Sequence, residues 1–448
     1  MIHLVLLSGG SGARLWPLSN NARSKQFLKV LRDEEGNHVS MVQRVFGQIA
    51  KVNTDLDVTI ATCANQENSI RSQVAGDYSL VLEPERRDTA PAIMLACAHL
   101  DMVQGAGADD TVIVMPIDTF ADQGYYDRIV DLDAAVQLGA SDLTLLGVEP
   151  TYPSTKYGYI IPGTASGDIL PVAEFKEKPS EEVARAFITQ GGLWNCGVFA
   201  FRLGYLRNLT KFYADFHSFD MMLAHYGELP KNSFDYEVVE SAKSISVVTY
   251  AGTWKDLGTW NTLSEEMVDW AQGRVVAADV DNVHIINETG LPMVVAGLKD
   301  AVVVATHDGI LACSKEASAN IKNEVNAVSE SRPMYEKRRW GEYRVIDSRA
   351  YNGGRNALTK ELVIERGKQL SYQRHAHRSE VWTVVSGEGE IVLDGYVTPV
   401  CPGSVMNIHP MQMHAVRATK EDLHIIEVQL GSPLVEEDIE RFGNYWKD

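Results

Sequence analysis

Cysteine is scarce in this chain: Cys63, Cys97, Cys196, Cys313 and Cys401 are the only five in 448 residues, an odd number with no close pairs. That pattern excludes a disulfide framework and a zinc knuckle, and it reads as reduced core thiols. Long apolar runs are also missing, since nothing approaches the ~18 uninterrupted residues of a membrane span. The N-terminal run Ile2–Leu7 has no basic segment before it and no cleavage site after it, and it is too short for a signal peptide. A cytoplasmic protein without a membrane partner is expected. Positive charge is in deficit: 41 Lys and Arg against 60 Asp and Glu leave a net charge of −19, with no long basic run to offset it. Such a chain repels nucleic acid. It repels phosphorylated ligands as well, so Arg14, Arg23 and Lys25, close together near one end, are more informative than they would be in a basic protein.

The length exceeds one ordinary core and implies at least two domains. From residue 1 to about 265, short apolar strands (Ile2–Leu7, Val58–Thr62, Leu80–Leu82, Thr111–Met115, Leu143–Val148, Val198–Phe201) alternate with helical segments such as Ala92–Val103. This is an α/β pattern: an open, mostly parallel sheet covered by helices, with ligands at the carboxyl ends of the strands. The first strand empties into Ser8-Gly9-Gly10-Ser11-Gly12, where glycines allow backbone N–H groups to approach an anion. The loop is not a Walker motif, because Gly12 is followed by Ala13-Arg14 rather than Lys-Ser/Thr. Nor is it a dinucleotide fingerprint, since Leu15 stands where the third glycine would open a helix.

With Arg14-Leu15-Trp16-Pro17-Leu18 and Lys25-Gln26-Phe27 behind it, the loop resembles the signature of the sugar-1-phosphate nucleotidyltransferases, and in particular of the mannose-1-phosphate guanylyltransferases. Ser24 replaces the proline usual before the lysine. The resemblance implies a Rossmann-like domain with a mixed, mostly parallel sheet. It implies that Gly9, Gly10, Ser11, Gly12 and Arg14 hold the triphosphate, and that Lys25 stabilises charge on the α-phosphate and the departing pyrophosphate.

Further matches follow in order. Arg87-Asp88-Thr89-Ala90-Pro91-Ala92 is similar to the family's segment beside the nucleotide, with Asp88 for Asn; Asp88 or Thr89 could equally be a plain helix cap. Asp118 ends the strand beginning at Thr111, where a turn-forming role is the ordinary alternative. Its match to the family's Pro-x-Asp implies a Mg²⁺ ligand, and Asp256, in Trp254-Lys255-Asp256-Leu257-Gly258, is the implied second one. Between them Gly158, Glu177, Lys178 and Asn195 match the sugar-phosphate motifs, although a Glu-Lys-Glu-Lys-Pro run is often a solvated edge. Asp235 matches a further segment, or caps a helix.

Residues 266–335 read as a β-rich connecting module, with strands near Val283–Ile286, Met293–Val295, Ala301–Ala305 and Ile310–Cys313 and a helical stretch Ala317–Val328. Residues 336–448 resemble a cupin β-barrel, the C-terminal domain of the two-domain guanylyltransferase and phosphomannose isomerase family. His375 and His377, at i and i+2, would share one strand face, and with Glu380 and His414 they form a divalent-metal set for Zn²⁺ or another ion. Val381 replaces a histidine of that family, and its closing motif is shortened at Arg441–Trp446.

The resemblance implies an enzyme that condenses GTP with mannose 1-phosphate, assisted by Mg²⁺, in a homodimer. The alternatives are added isomerisation of fructose 6-phosphate in the cupin, another hexose 1-phosphate as substrate, and a sugar-nucleotide sensor without catalysis. Against metal binding and isomerisation, the ordinary alternative is a cupin kept for packing or dimer contacts.

Overall fold

The computed structural model describes residues 1–10, 13–20, 23–33, 35–139, 141–165, 167–209, 216–328, 334–351, 354–435 and 437–447. The chain forms two compact units: residues 1–15, 23–269 and 318–320 make the first, and 16–22, 270–317 and 321–448 the second.

The first unit is built on nine strands: β1 (Ile2–Ser8), β2 (Asp57–Cys63), β3 (Ser79–Glu83), β4 (Thr111–Pro116), β5 (Leu143–Val148), β6 (Gly158–Pro162), β7 (Ile169–Lys176), β8 (Leu193–Arg202) and β9 (Ile245–Tyr250). They lie in the order β3-β2-β1-β4-β8-β5-β9-β7-β6. β1 is parallel to β2 and β4, while β8 enters antiparallel between β4 and β5. The sheet is therefore mixed and mostly parallel. Its central strands are continuous apolar runs because both faces are covered. On one face α2 (Thr89–Met102) buries Ile93, Leu95, Ala96 and Cys97 against Val5, Val112 and Val114. On the other, α1 (Met41–Ile49) and α3 (Gln123–Leu138) pack Val42, Val45, Ile129 and Leu132 against Leu4, Leu6 and Ile113. α2 begins three residues before the sequence-based expectation, because Asp88 caps it by accepting a hydrogen bond from Thr89 N at 2.8 Å.

In the second unit, Val275–Ala278 runs parallel to Met293–Ala296, and His284–Asn287 parallel to Ala301–Thr306. Val275↔Met293, Asp281↔Lys299 and His284↔Val302 are each 18 residues apart, so this module is a short parallel coil. Corners fall on Asp279, Asn282 and Asp300, all at positive φ, a conformation that Asn and Asp tolerate. Asn282 Nδ2 donates to Asp300 Oδ1 at 2.6 Å, linking successive turns. The expected single helix over 317–328 is a 3₁₀ turn, Ala317–Asn320, followed by a helix, Lys322–Val328. Trp16-Pro17-Leu18 of the signature also belongs to this unit: Thr306 Oγ1 donates to the Pro17 carbonyl at 3.0 Å, and Gly309 leaves room for the Trp16 ring.

Beyond it, a six-stranded and a five-stranded antiparallel sheet face each other across Trp382, Ile364, Ile391, Val416 and Ile425, the two-layered barrel of a cupin. All five cysteines are free; Cys63, Cys97 and Cys196 are buried, whereas Cys401 is exposed, which corrects its reading as a core thiol. Among the described residues no helix is long and apolar enough to cross a membrane.

Candidate active site

A cavity of about 520 Å³ opens at the carboxyl ends of β1, β2, β3 and β4 in the first unit. Strand topology brings its two key acids together. Trp254–Asp256 pairs antiparallel with Thr119–Ala121, in a register that sets Asp256 opposite Thr119. Asp118 and Asp256 thereby become neighbours although 138 positions separate them. Gly258 leaves room for the Asp256 carboxylate, since a Cβ there would lie 3.0 Å from its Oδ1.

Lys25 reaches into the same place from the 3₁₀ turn Lys25–Phe27. Its Nζ lies 2.7 Å from Asp118 Oδ2 and 3.1 Å from Asp256 Oδ1. Burial alone would pull this ammonium down, but the charges of Asp118 and then Asp256 outweigh it and hold the group well above its ordinary value. Two carboxylates converging on one cation form an all-oxygen donor pair, suited to a hard divalent ion.

Gly9, Gly10, Arg87, Asp88 and Thr89 line the cavity, with Gly10 at φ 92°. Ser11 and Gly12 lie outside the described residues. Arg14 is exposed and is not among the lining residues. Arg87 donates to the Gly227 carbonyl, and Thr89 Oγ1 accepts from Phe234 N at 2.9 Å. Glu83, Arg86 and Cys63 also line the cavity. Burial pushes the Glu83 carboxyl up, and Tyr226 donates to it at 2.7 Å. The sequence reading missed these three; the one available signal was that Glu83 ends a strand.

At the opposite side Asn195 Nδ2 donates to Asp235 Oδ1 at 2.6 Å, and both line the cavity; Glu177 and Lys178, paired at 2.5 Å between Nζ and Oε1, are not among its lining residues. Glu177 Oε2 is buried with no partner among the described residues, an acceptor left for a ligand donor. Asp235 does not cap a helix: it lies in the π-helical turn Asp235–Val239 and its side chain goes to Asn195. Burial, then the nearby Glu177 charge, push its carboxyl up to about 6.

Two expected outcomes follow. A Cβ at Gly158 would overlap Glu177 Oε2 and meet Phe175 Cζ at 3.2 Å and Asn195 Cβ at 3.3 Å. Gly158→Ala should therefore displace Glu177 and Asn195 and, if these groups hold the sugar phosphate as the family resemblance implies, lower kcat/KM for that substrate about 10–100-fold, leaving the nucleotide KM unchanged in a pyrophosphate-release assay. For Asp235, the folded state holds a proton that the unfolded chain gives up near its ordinary pKa. Its stabilising contribution is complete below about pH 4 and is lost as pH rises through about 6. Asp235→Asn should thus be more stable than the wild type at pH 8, by on the order of 2 kcal/mol, and thermal melts should show the difference vanishing by pH 4.

In the cupin, His375, Glu380 and His414 are buried and present ligand atoms within 4.8 Å of one another. His375 Nδ1 donates to the Asp438 carbonyl (2.6 Å) and His414 Nδ1 to the Gln412 carbonyl (2.9 Å). Burial, with the Arg378 charge, pulls His375 down to about 4, and burial lowers His414 as well. Burial thus favours the neutral form of both rings, and their Nε2 atoms face Glu380 at 3.3 and 3.6 Å. His414 Nε2 has no partner among the described residues. Three acceptors facing one another fit a bound cation. Arg378 meets part of that demand, with Nε 2.9 Å from Glu380 Oε1 and Nη2 3.3 Å from His375 Nε2.

His377 is not in the group. Residues 375–377 form no strand, so the same-face spacing does not apply. The N–H groups of Ala376 and His377 instead donate to the Asp438 carboxylate, and the His377 side chain is left exposed.

A nucleotidyl transferase family model matches residues 3–273, and one for the mannose-6-phosphate isomerase C-terminal region matches 323–444. The chain is 33% identical to the alginate biosynthesis protein AlgA of Pseudomonas putida, over 99% of this chain and 96% of that protein. It is 31% identical to the mannose-1-phosphate guanylyltransferase of Escherichia coli, over 99% and 98% respectively. The crystal structure of mannose-1-phosphate geranyltransferase from Thermus thermophilus superposes with a TM-score of 0.59 at 28% identity, covering 73% of this chain and 98% of that one. On full-length similarity and a matched catalytic domain, this chain belongs to the mannose-1-phosphate guanylyltransferase family of nucleotidyltransferases.

Proposed function

We propose that the first unit transfers a guanylyl group from GTP to mannose 1-phosphate, forming GDP-mannose and pyrophosphate. The observation that carries this reading is the convergence of Lys25, Asp118 and Asp256 at the end of a glycine loop, in one cavity whose lining also includes Asn195 and Asp235. An oxygen of the sugar phosphate attacks the α-phosphorus, a new P–O bond forms, and the α–β bridging P–O bond breaks to release pyrophosphate. No side-chain nucleophile is needed; the protein positions the reactants and neutralises their charge.

In this reading the Gly9 and Gly10 amides hold the leaving phosphates and Lys25 balances charge that grows there. Arg87, Asp88 and Thr89 border the base. Glu177 accepts from sugar hydroxyls and Lys178 pairs with the sugar phosphate. Asp118 and Asp256 would hold Mg²⁺, whose chemistry is to neutralise phosphate charge during the displacement. Pyrophosphate release over a grid of nucleoside triphosphates and hexose 1-phosphates tests the reading. GTP with mannose 1-phosphate should be the preferred pair, and a flat or empty grid rules it out.

The buried His375 and His414 rings facing Glu380 favour a second reading, in which the cupin holds a divalent cation and isomerises fructose 6-phosphate to mannose 6-phosphate. A coupled assay on the full chain with added Zn²⁺, Mn²⁺ or Co²⁺ decides it, and no turnover with any of the three removes it.

A further inference from the structure

Under the floor of the nucleotide side lies a polar group that the reaction scheme does not use. Ser8, Ser24, Gln26, Thr62 and Gln66 are all fully buried in the first unit, and neither Ser24 nor Gln66 lines the cavity. Gln66 stands at the centre. In the orientation that gives both ends of its amide complementary partners, the carbonyl accepts from Ser24 Oγ at 2.7 Å and Arg86 Nη2 at 3.2 Å. Its NH₂ donates to Thr62 Oγ1 at 2.8 Å and to the Ser8 carbonyl at 2.9 Å. One side chain thus ties the ends of β1 and β2 to the turn that carries Lys25 and to the guanidinium of Arg86. Both cations line the cavity.

We propose that Gln66 is a positioning residue for guanylyl transfer, acting through Ser24 to fix the Lys25 turn and directly on Arg86. Ser24 has φ −72° and ψ 156°; that φ is the one a proline ring imposes covalently. In this chain a buried hydrogen bond does the work that a proline at position 24 would do by ring closure. Burial makes the amide effective, because breaking any of its bonds strands a polar group away from water.

The contrast between two substitutions at one position separates this role from simple packing. Ser24→Ala removes the hydroxyl and frees the backbone, whereas Ser24→Pro removes the hydroxyl and restrains it. In the full-length protein, with GTP, mannose 1-phosphate and Mg²⁺, Ser24→Ala should lose several-fold in kcat while Ser24→Pro stays near the wild type. Gln66→Leu should lose about 10–100-fold in kcat, with the KM for mannose 1-phosphate unchanged. Wild-type kcat in Gln66→Leu overturns the inference, as do equal rates in the two Ser24 variants. If Gln66→Leu does not fold, the Ser24 pair still decides. The inference rests on the functional reading above, and the two fail differently: an inert wild type removes that reading, while an active wild type with equally active variants removes only the role of Gln66.

Discussion

Replacing Asp256 with alanine is expected to lower kcat by about 10²–10³-fold in the presence of Mg²⁺, with little change in the KM for mannose 1-phosphate. The reason is where the carboxylate stands. It is fixed by the two-stranded ladder to Thr119–Ala121, next to Asp118, and it shares the Lys25 ammonium with Asp118. It is not among the groups on the Glu177–Asn195 side. On the proposed function, its loss removes one of the two oxygen donors assigned to Mg²⁺ and shifts the cation assigned to the leaving group. An interaction needed chiefly in the transition state appears in kcat rather than in KM. Asp256→Asn should be almost as impaired, because the amide keeps the shape and loses the charge. Pyrophosphate release at saturating substrates is the measurement, and near wild-type turnover in Asp256→Ala would refute the assignment.

Lys25→Ala should be the more severe change, with kcat/KM for GTP reduced about 10³-fold. Lys25 is buried, and removing it strips Asp118 and Asp256 of the ammonium they share while taking away the cation assigned to the leaving group. Lys25→Arg should not restore activity: a planar guanidinium is wider than an ammonium and cannot sit as a point charge between two carboxylates 2.7 and 3.1 Å from one nitrogen. Steady-state kinetics with varied GTP reads this directly, and substantial activity in Lys25→Ala would remove Lys25 from the reaction.

Several parts of the fold were legible because their physics is local. β1 and β4 are buried on both faces, so continuous apolar runs marked them, and the loop and acid that follow them mark a sheet's carboxyl edge. Helix α2 was legible in its middle but not at its start, which depends on the Asp88 cap. The coil in the second unit could have been found from Asn282 and Asp300, corner residues one 18-residue turn apart, yet strands read singly show no such period. The pairing of His375 with His377 failed for a related reason: an i, i+2 argument holds only inside a strand, and the Asp438 carboxylate bends that segment.

By itself the sequence determined the kinds of element, the family motifs and their order along the chain, since these follow from periodicity, glycine and the chemistry of single residues. Tertiary structure alone decided which of those residues meet. Antiparallel pairing placed Asp256 opposite Thr119, a buried amide at Gln66 joined Ser24 to Arg86, and Arg378 rather than His377 entered the cupin cluster. Such encounters depend on register and on the satisfaction of buried polar groups, quantities that exist only once distant segments are packed together.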